Sequence, residues 1–162
     1  MKSALALLAA LSLVTACGQA PQNGTQANAA APAENAPVAI DDAVVTLPAV
    51  PGRPGAGYFT LRTTLPSLTL TGITSPQAER IELHETTVTD GVSRMGPLGD
   101  ATVTPAAPLV FEPGGKHAML FGLDAALAAG GTLPLTFTFE GADPVTVEAE
   151  LRAPGQGGHA GH

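Results

Sequence analysis

Residues 79–87 read Glu-Arg-Ile-Glu-Leu-His-Glu-Thr-Thr, and this stretch decides the fold class. Ile81 and Leu83 fall on one side of an extended chain, and Glu82 and His84 fall on the other. A period of two marks a half-buried β-strand, because successive side chains point to opposite faces. Asp90-Gly91 follows shortly after. Asp-Gly is a strong hairpin signal, since both residues tolerate the positive φ that a tight turn demands.

The same alternation recurs on both sides. Tyr58 to Thr63 alternates, and so does Ser67 to Ile73, with Leu68, Leu70 and Ile73 inward. Ala43 to Leu47 is a short apolar run ended by prolines, and Pro51-Gly52-Arg53-Pro54-Gly55 is a loop. Ala101 to Thr104, Leu109 to Phe111 and His117 to Phe121 read as further strands, with a turn at Pro113-Gly114-Gly115. Asp124 to Ala129 is expected to form a single helical turn closed by Gly130-Gly131. Thr132 to Glu140 and Val145 to Leu151 read as a closing hairpin. With 19 Gly, 15 Pro and few aromatics, the composition also favours short strands and frequent turns over long helices. The expected architecture is an all-β, Greek-key sandwich or barrel. Residues 38–152 are long enough to bury one core without disulfides.

The 162 residues carry a net charge of −7 with no basic cluster, which argues against a nucleic-acid partner. The single cysteine, Cys17, precludes a disulfide within the chain and any thiolate metal site in the main body. At the N-terminus, Lys2 precedes an apolar run from Ala4 to Val14. That run is too short to span a bilayer, which takes about 20 residues, and it suits a signal peptide. Val14-Thr15-Ala16-Cys17 resembles the bacterial lipobox. The resemblance implies a signal peptide over residues 1–16, a lipid on Cys17 and a periplasmic protein held to a membrane. Gly18 rather than Asp follows the cysteine, so the outer membrane is expected where two membranes exist. Residues 17–37 are rich in Gln, Asn, Ala, Pro and Gly and are expected to act as a flexible tether. Residues 153–162 form a Gly-rich tail ending in His159-Ala160-Gly161-His162.

Once Met1 leaves with the signal peptide, only Met95 and Met119 remain, and only His84 and His117 lie outside the tail. A single methionine is ordinarily core filler, and a single histidine is ordinarily a satisfied polar group. Their joint placement argues otherwise. His117 and Met119 are two apart on one strand and so share a face. The Asp90-Gly91 turn is placed to fold Met95 back beside His84. Two thioethers and two imidazoles suit Cu(I), a soft ion, without a thiolate that an oxidising compartment would consume. Zn(II) is disfavoured, since it prefers His, Cys and carboxylate. No nucleophile, base and orienting acid group together, and neither histidine has a legible carboxylate partner. Glu85 adjoins His84, but neighbours on a strand face opposite ways. No enzyme is therefore expected.

The gaps His84-x10-Met95-x21-His117-x-Met119 resemble the pattern of the periplasmic copper chaperone family PCu(A)C. The flanking text is similar too: Glu82 to Thr86, Asp90-Gly91-Val92 and Arg94-Met95 in the first half, and Pro113 to Leu120 with Gly122-Leu123 in the second. Gly57-Tyr58 and Leu135 to Glu140 extend the similarity to roughly residues 39–151. Ala43 to Arg53 lacks the tryptophan that members often carry there. The resemblance implies a cupredoxin-like sandwich with Cu(I) held by His84, Met95, His117 and Met119. It implies delivery of copper to the copper subunit of cytochrome c oxidase, alongside a Sco-type copper chaperone. The competing expectations are a lipid-anchored general copper buffer or a lipid-anchored interaction domain that binds no metal. In the tail, His159 and His162 offer a loose site for Cu(II), set against incidental histidines in a solvated terminus.

Overall fold

The computed structural model describes residues 36–156. Among these, every regular element is a strand: β1 (Val38–Thr46), β2 (Gly55–Thr63), β3 (Leu68–Thr74), β4 (Arg80–Thr89), β5 (Val92–Pro97), β6 (Thr102–Val103), β7 (Leu109–Phe111), β8 (Lys116–Phe121), β9 (Thr132–Glu140) and β10 (Val145–Arg152). They form one ladder in the order β5-β4-β8-β7-β2-β1-β10-β9-β3-β6, with β8 also pairing β2.

The ladder closes over a core, as one aromatic contact demonstrates. Phe59 on β2 meets Phe137 on β9 edge to face, with ring centroids 4.9 Å apart. β1 and β10 lie between those strands in the ladder. At about 4.8 Å per strand, a flat sheet would hold the two positions about 14 Å apart. The sheet therefore folds back on itself into two facing layers. Phe111 stacks on Phe59 at 4.2 Å. Val45, Leu61, Val103, Leu120, Leu133 and Ala149 fill the space around the rings with no exposure to solvent. The all-β sandwich expected from strand alternation is the fold observed.

Local chemistry explains where the strands depart from simple alternation. Leu68, Leu70 and Ile73 are all buried although strict alternation would turn Ile73 outward. A register shift between Leu70 and Gly72 restores its inward direction. β1 begins at Val38, the expected start of the domain, and a second shift lies between Asp41 and Val44, where Asp42 has φ 52°. Asp90 (φ 53°) and Gly91 (φ 75°) join Thr89 to Val92 in a two-residue hairpin with both φ values positive. The segment beyond this turn is the full strand β5, not a simple return.

Asp124 to Ala129 does not form the expected helical turn. Asp124 Oδ1 accepts the Ala126 N–H at 2.9 Å, and Leu127 N–H reaches Asp124 O at 3.1 Å. The carboxylate thus closes a single reverse turn in place of the helical hydrogen bonds. A last feature positions the site. β8 lies against β2 where Gly55 pairs Leu120 and Gly57 pairs Ala118. A Cβ on Gly55 would stand 2.9 Å from the Thr46 carbonyl oxygen and 2.8 Å from Leu123 Cδ1, so only glycine lets the start of β2 lie this close to the end of β1 and to the segment after β8.

Candidate metal centre

β4 and β8 run antiparallel with His84 opposite His117 and Glu82 opposite Met119. β5 runs on the other side of β4, with Met95 opposite Thr86. Ala118 and Leu120 are buried in the core, so alternation sends His117 and Met119 to the outer face of β8. All four sequence-predicted ligands therefore lie on the outer face of three adjacent strands, β5-β4-β8. The two imidazole centroids are 6.1 Å apart. Met95 is the exposed member, at 57%, on an edge strand. Met119 is half-buried.

The hydrogen bonds fix the state of each ring. His117 Nδ1 lies 3.0 Å from the Gly115 carbonyl oxygen. A carbonyl only accepts, so Nδ1 carries the proton, and in the neutral ring the lone pair sits on Nε2. That Nε2 lies 3.1 Å from Met95 Sδ. Nitrogen and sulfur lone pairs thus face each other without a proton between them in the neutral ring. This arrangement suits a soft cation coordinated by both atoms, and a backbone carbonyl on the opposite nitrogen is the usual way to hold a ligating imidazole.

His84 is the mirror case. Its Nε2 lies 3.1 Å from Glu82 Oε2, while its Nδ1 is buried and has no hydrogen-bond partner among the described residues. The side chain is only 17% exposed. Glu82 is itself held by Arg80 Nε at 2.8 Å, and the Arg80 guanidinium sits 4.0 Å over the Phe121 ring. The Arg80 hydrogen bond, and after it that of His84, holds the Glu82 carboxyl below the usual carboxylate range. Glu82 is thus ionised at neutral pH and can only accept.

This corrects the expectation that neither histidine has a carboxylate partner. The signal was available in the sequence, since Glu82 and His84 are two apart and share a strand face. Glu85 behaves as alternation requires and turns away from His84, pairing with Lys116 Nζ at 2.8 Å. Among the described residues, no three His, Cys, Asp or Glu side chains gather closely enough to hold a metal ion. His117 meets the Met95 thioether instead, a donor that selects for soft ions. Cys17, His159 and His162 lie outside the described residues, as does the signal-peptide segment.

Comparison with known proteins agrees with this picture at the level of fold and family. The family described as "Putative lipoprotein LpqE-like" matches residues 38–151. A curated relative, "Putative lipoprotein Lxx21020" from Leifsonia xyli subsp. xyli (strain CTCB07), is 39% identical over 69 residues, covering 42% of each chain. The match thus spans well under half of that relative's length. Among solved structures, the copper-bound PCuAC domain from PmoF2 superposes with a TM-score of 0.61 at 19% identity, covering 74% of this chain and 95% of that one. The solution structure of CuI-DR1885 from Deinococcus radiodurans superposes with a TM-score of 0.58 at 27% identity, covering 74% and 81%. The fold is therefore that of PCuAC domains, a cupredoxin-like β-sandwich.

Proposed function

The chain belongs to the LpqE-like family, and we propose that it is an extracytoplasmic carrier of Cu(I), bound by His84, Met95, His117 and Met119. The observation that carries this reading is the approach of His117 Nε2 to Met95 Sδ at 3.1 Å while Gly115 occupies Nδ1. Two proton-free soft donors converge there from strands that the fold holds in register. The similarity to a copper-bound PCuAC domain, and to DR1885 in its CuI form, supports copper as the ion.

Within this reading copper is cargo. His117 is held by a backbone carbonyl and supplies a fixed imidazole. Met95 and Met119 supply neutral thioethers, which stabilise Cu(I) without proton release and leave it exchangeable. Cys17 carries the lipid that tethers the domain outside the cytoplasm, in keeping with the lipoprotein description of the family. The recipient is the copper subunit of cytochrome c oxidase, with a Sco-type chaperone alongside.

An anaerobic Cu(I) titration of the full chain against a chromogenic chelator tests the carrier reading. One tight site is expected, lost in the double variant Met95→Ala, Met119→Ala. Unchanged affinity in that variant would sink the proposal.

A further inference from the structure

We propose that Glu82 is a positioning residue that makes Nδ1 the nitrogen through which His84 takes Cu(I). The two histidines then present opposite ring nitrogens, Nδ1 from His84 and Nε2 from His117. The inference rests on the copper reading above and adds a residue and a donor atom to it.

The argument starts from proton placement. The Glu82 carboxylate accepts, so His84 Nε2, 3.1 Å away, is the donor. A neutral imidazole with its proton on Nε2 has its free lone pair on Nδ1. Nδ1 is buried and meets no hydrogen-bond donor among the described residues. Buried polar atoms are rarely left so, and an orphan needs an explanation such as an ion that belongs there. His117 follows the same logic with the nitrogens exchanged, Gly115 taking the Nδ1 proton.

Glu82 itself is held in place. Its Oε1 accepts from Arg80 and its Oε2 from His84, so the two oxygens are divided between two partners. Arg80 is in turn anchored over the Phe121 ring. Register places Arg80 opposite Phe121, Glu82 opposite Met119 and His84 opposite His117. One outer stripe therefore runs from an aromatic anchor through a guanidinium and a carboxylate to the imidazole. A carboxylate on the remote nitrogen fixes a ligating ring and raises its basicity. Glu82 is not itself a ligand in this scheme, because a hard carboxylate suits Cu(I) poorly.

The test is long-range 1H–15N NMR of the histidine rings of the full chain, metal-free and loaded anaerobically with Cu(I), joined to the chelator titration. In the metal-free protein the proton is expected on Nε2 of His84 and on Nδ1 of His117. Cu(I) is expected to shift Nδ1 of His84 and Nε2 of His117. Glu82→Ala should weaken Cu(I) binding about 10- to 100-fold and let His84 bind through either nitrogen. Glu82→Gln should keep Nδ1 ligation, since the amide oxygen still accepts. Cu(I) at Nε2 of His84 in the unaltered protein would overturn the inference. So would Glu82→Ala with its donor nitrogen unchanged, whether or not affinity falls, because Glu82 would then be only a neighbouring charge. A wild-type chain that binds no Cu(I) would overturn both this and the carrier reading. Binding with the wrong nitrogen would overturn this one alone.

Discussion

Phe137→Ala is the perturbation that separates the scaffold from the site. Phe137 has no exposure, and its ring meets Phe59 edge to face at 4.9 Å across the two layers. Truncating a buried phenylalanine costs about 3–5 kcal/mol, the loss of transfer energy plus the cavity that remains. The lost aromatic pair places this site toward the middle or top of that range, so about 4 kcal/mol is expected. A domain of about 115 residues has an unfolding entropy near 0.24 kcal/mol/K, and the melting temperature should therefore fall by about 17 °C. Against a total stability of about 5–15 kcal/mol, the variant remains mostly folded when cool. Thermal unfolding followed by circular dichroism, with Phe137→Leu as a milder control, measures the shift. Phe137 faces the core while the candidate ligands face outward on β5-β4-β8. The variant, measured cold, should thus keep its Cu(I) affinity within about threefold, on the expectation that well-separated sites act independently. A fall of less than about 5 °C would refute the view that this contact joins the two layers.

Gly55→Ala should destabilise the domain by about 1–3 kcal/mol, because its Cβ meets the Thr46 carbonyl and Leu123 and something must shift; urea unfolding measures it. Gly57→Ala should weaken Cu(I) binding more than Phe137→Ala does, since its Cβ would stand 3.3 Å from both Ala118 Cβ and Leu120 Cδ1 and press on β8, the strand of His117 and Met119. Hydrogen peroxide should oxidise Met95 before Met119, because Met95 is 57% exposed on an edge strand and Met119 is half-buried. Peptide mass spectrometry after graded exposure checks the order, and Cu(I) affinity should fall in step with Met95 sulfoxide.

What was legible in the sequence was whatever burial had imprinted on it. Ile81 and Leu83 alternate with Glu82 and His84 because one face of β4 packs on the core. Strand β5 left no such imprint. Val92 to Met95 are all exposed, so the segment shows no alternation even though it pairs residue by residue with β4. Its existence was legible only through the Asp90-Gly91 turn. The bulges in β1 and β3 were likewise silent, since each is a backbone event that moves the register without altering composition. Asp124 was misleading for a physical reason: its carboxylate competes with the backbone for the Ala126 N–H. At the site, spacing singled out four side chains that the register puts on one face of three adjacent strands. It did not reveal the protonation of either ring, which is set by the backbone carbonyl of Gly115 and the carboxylate of Glu82.

The division of the site between strands bears on how a carrier would load and release. His84 and His117 sit on β4 and β8, each paired on both sides, and each ring is held by a hydrogen bond on one nitrogen. Met95 sits on β5, which among the described residues ends the ladder and pairs only with β4. Local opening is least costly where buried contacts are few and one edge is unpaired. Displacement of Met95 therefore disturbs no core residue, while displacement of either histidine breaks a doubly paired strand. A Cu(I) ion held by all four donors would lose the Met95 thioether first and keep both imidazoles. Exchange would then begin from a three-donor state whose open side faces solvent at the domain edge, where an acceptor's own thioether or thiolate can enter. The asymmetry between held imidazoles and an exposed thioether thus gives the proposed site one donor that an acceptor could displace without disturbing the other strands.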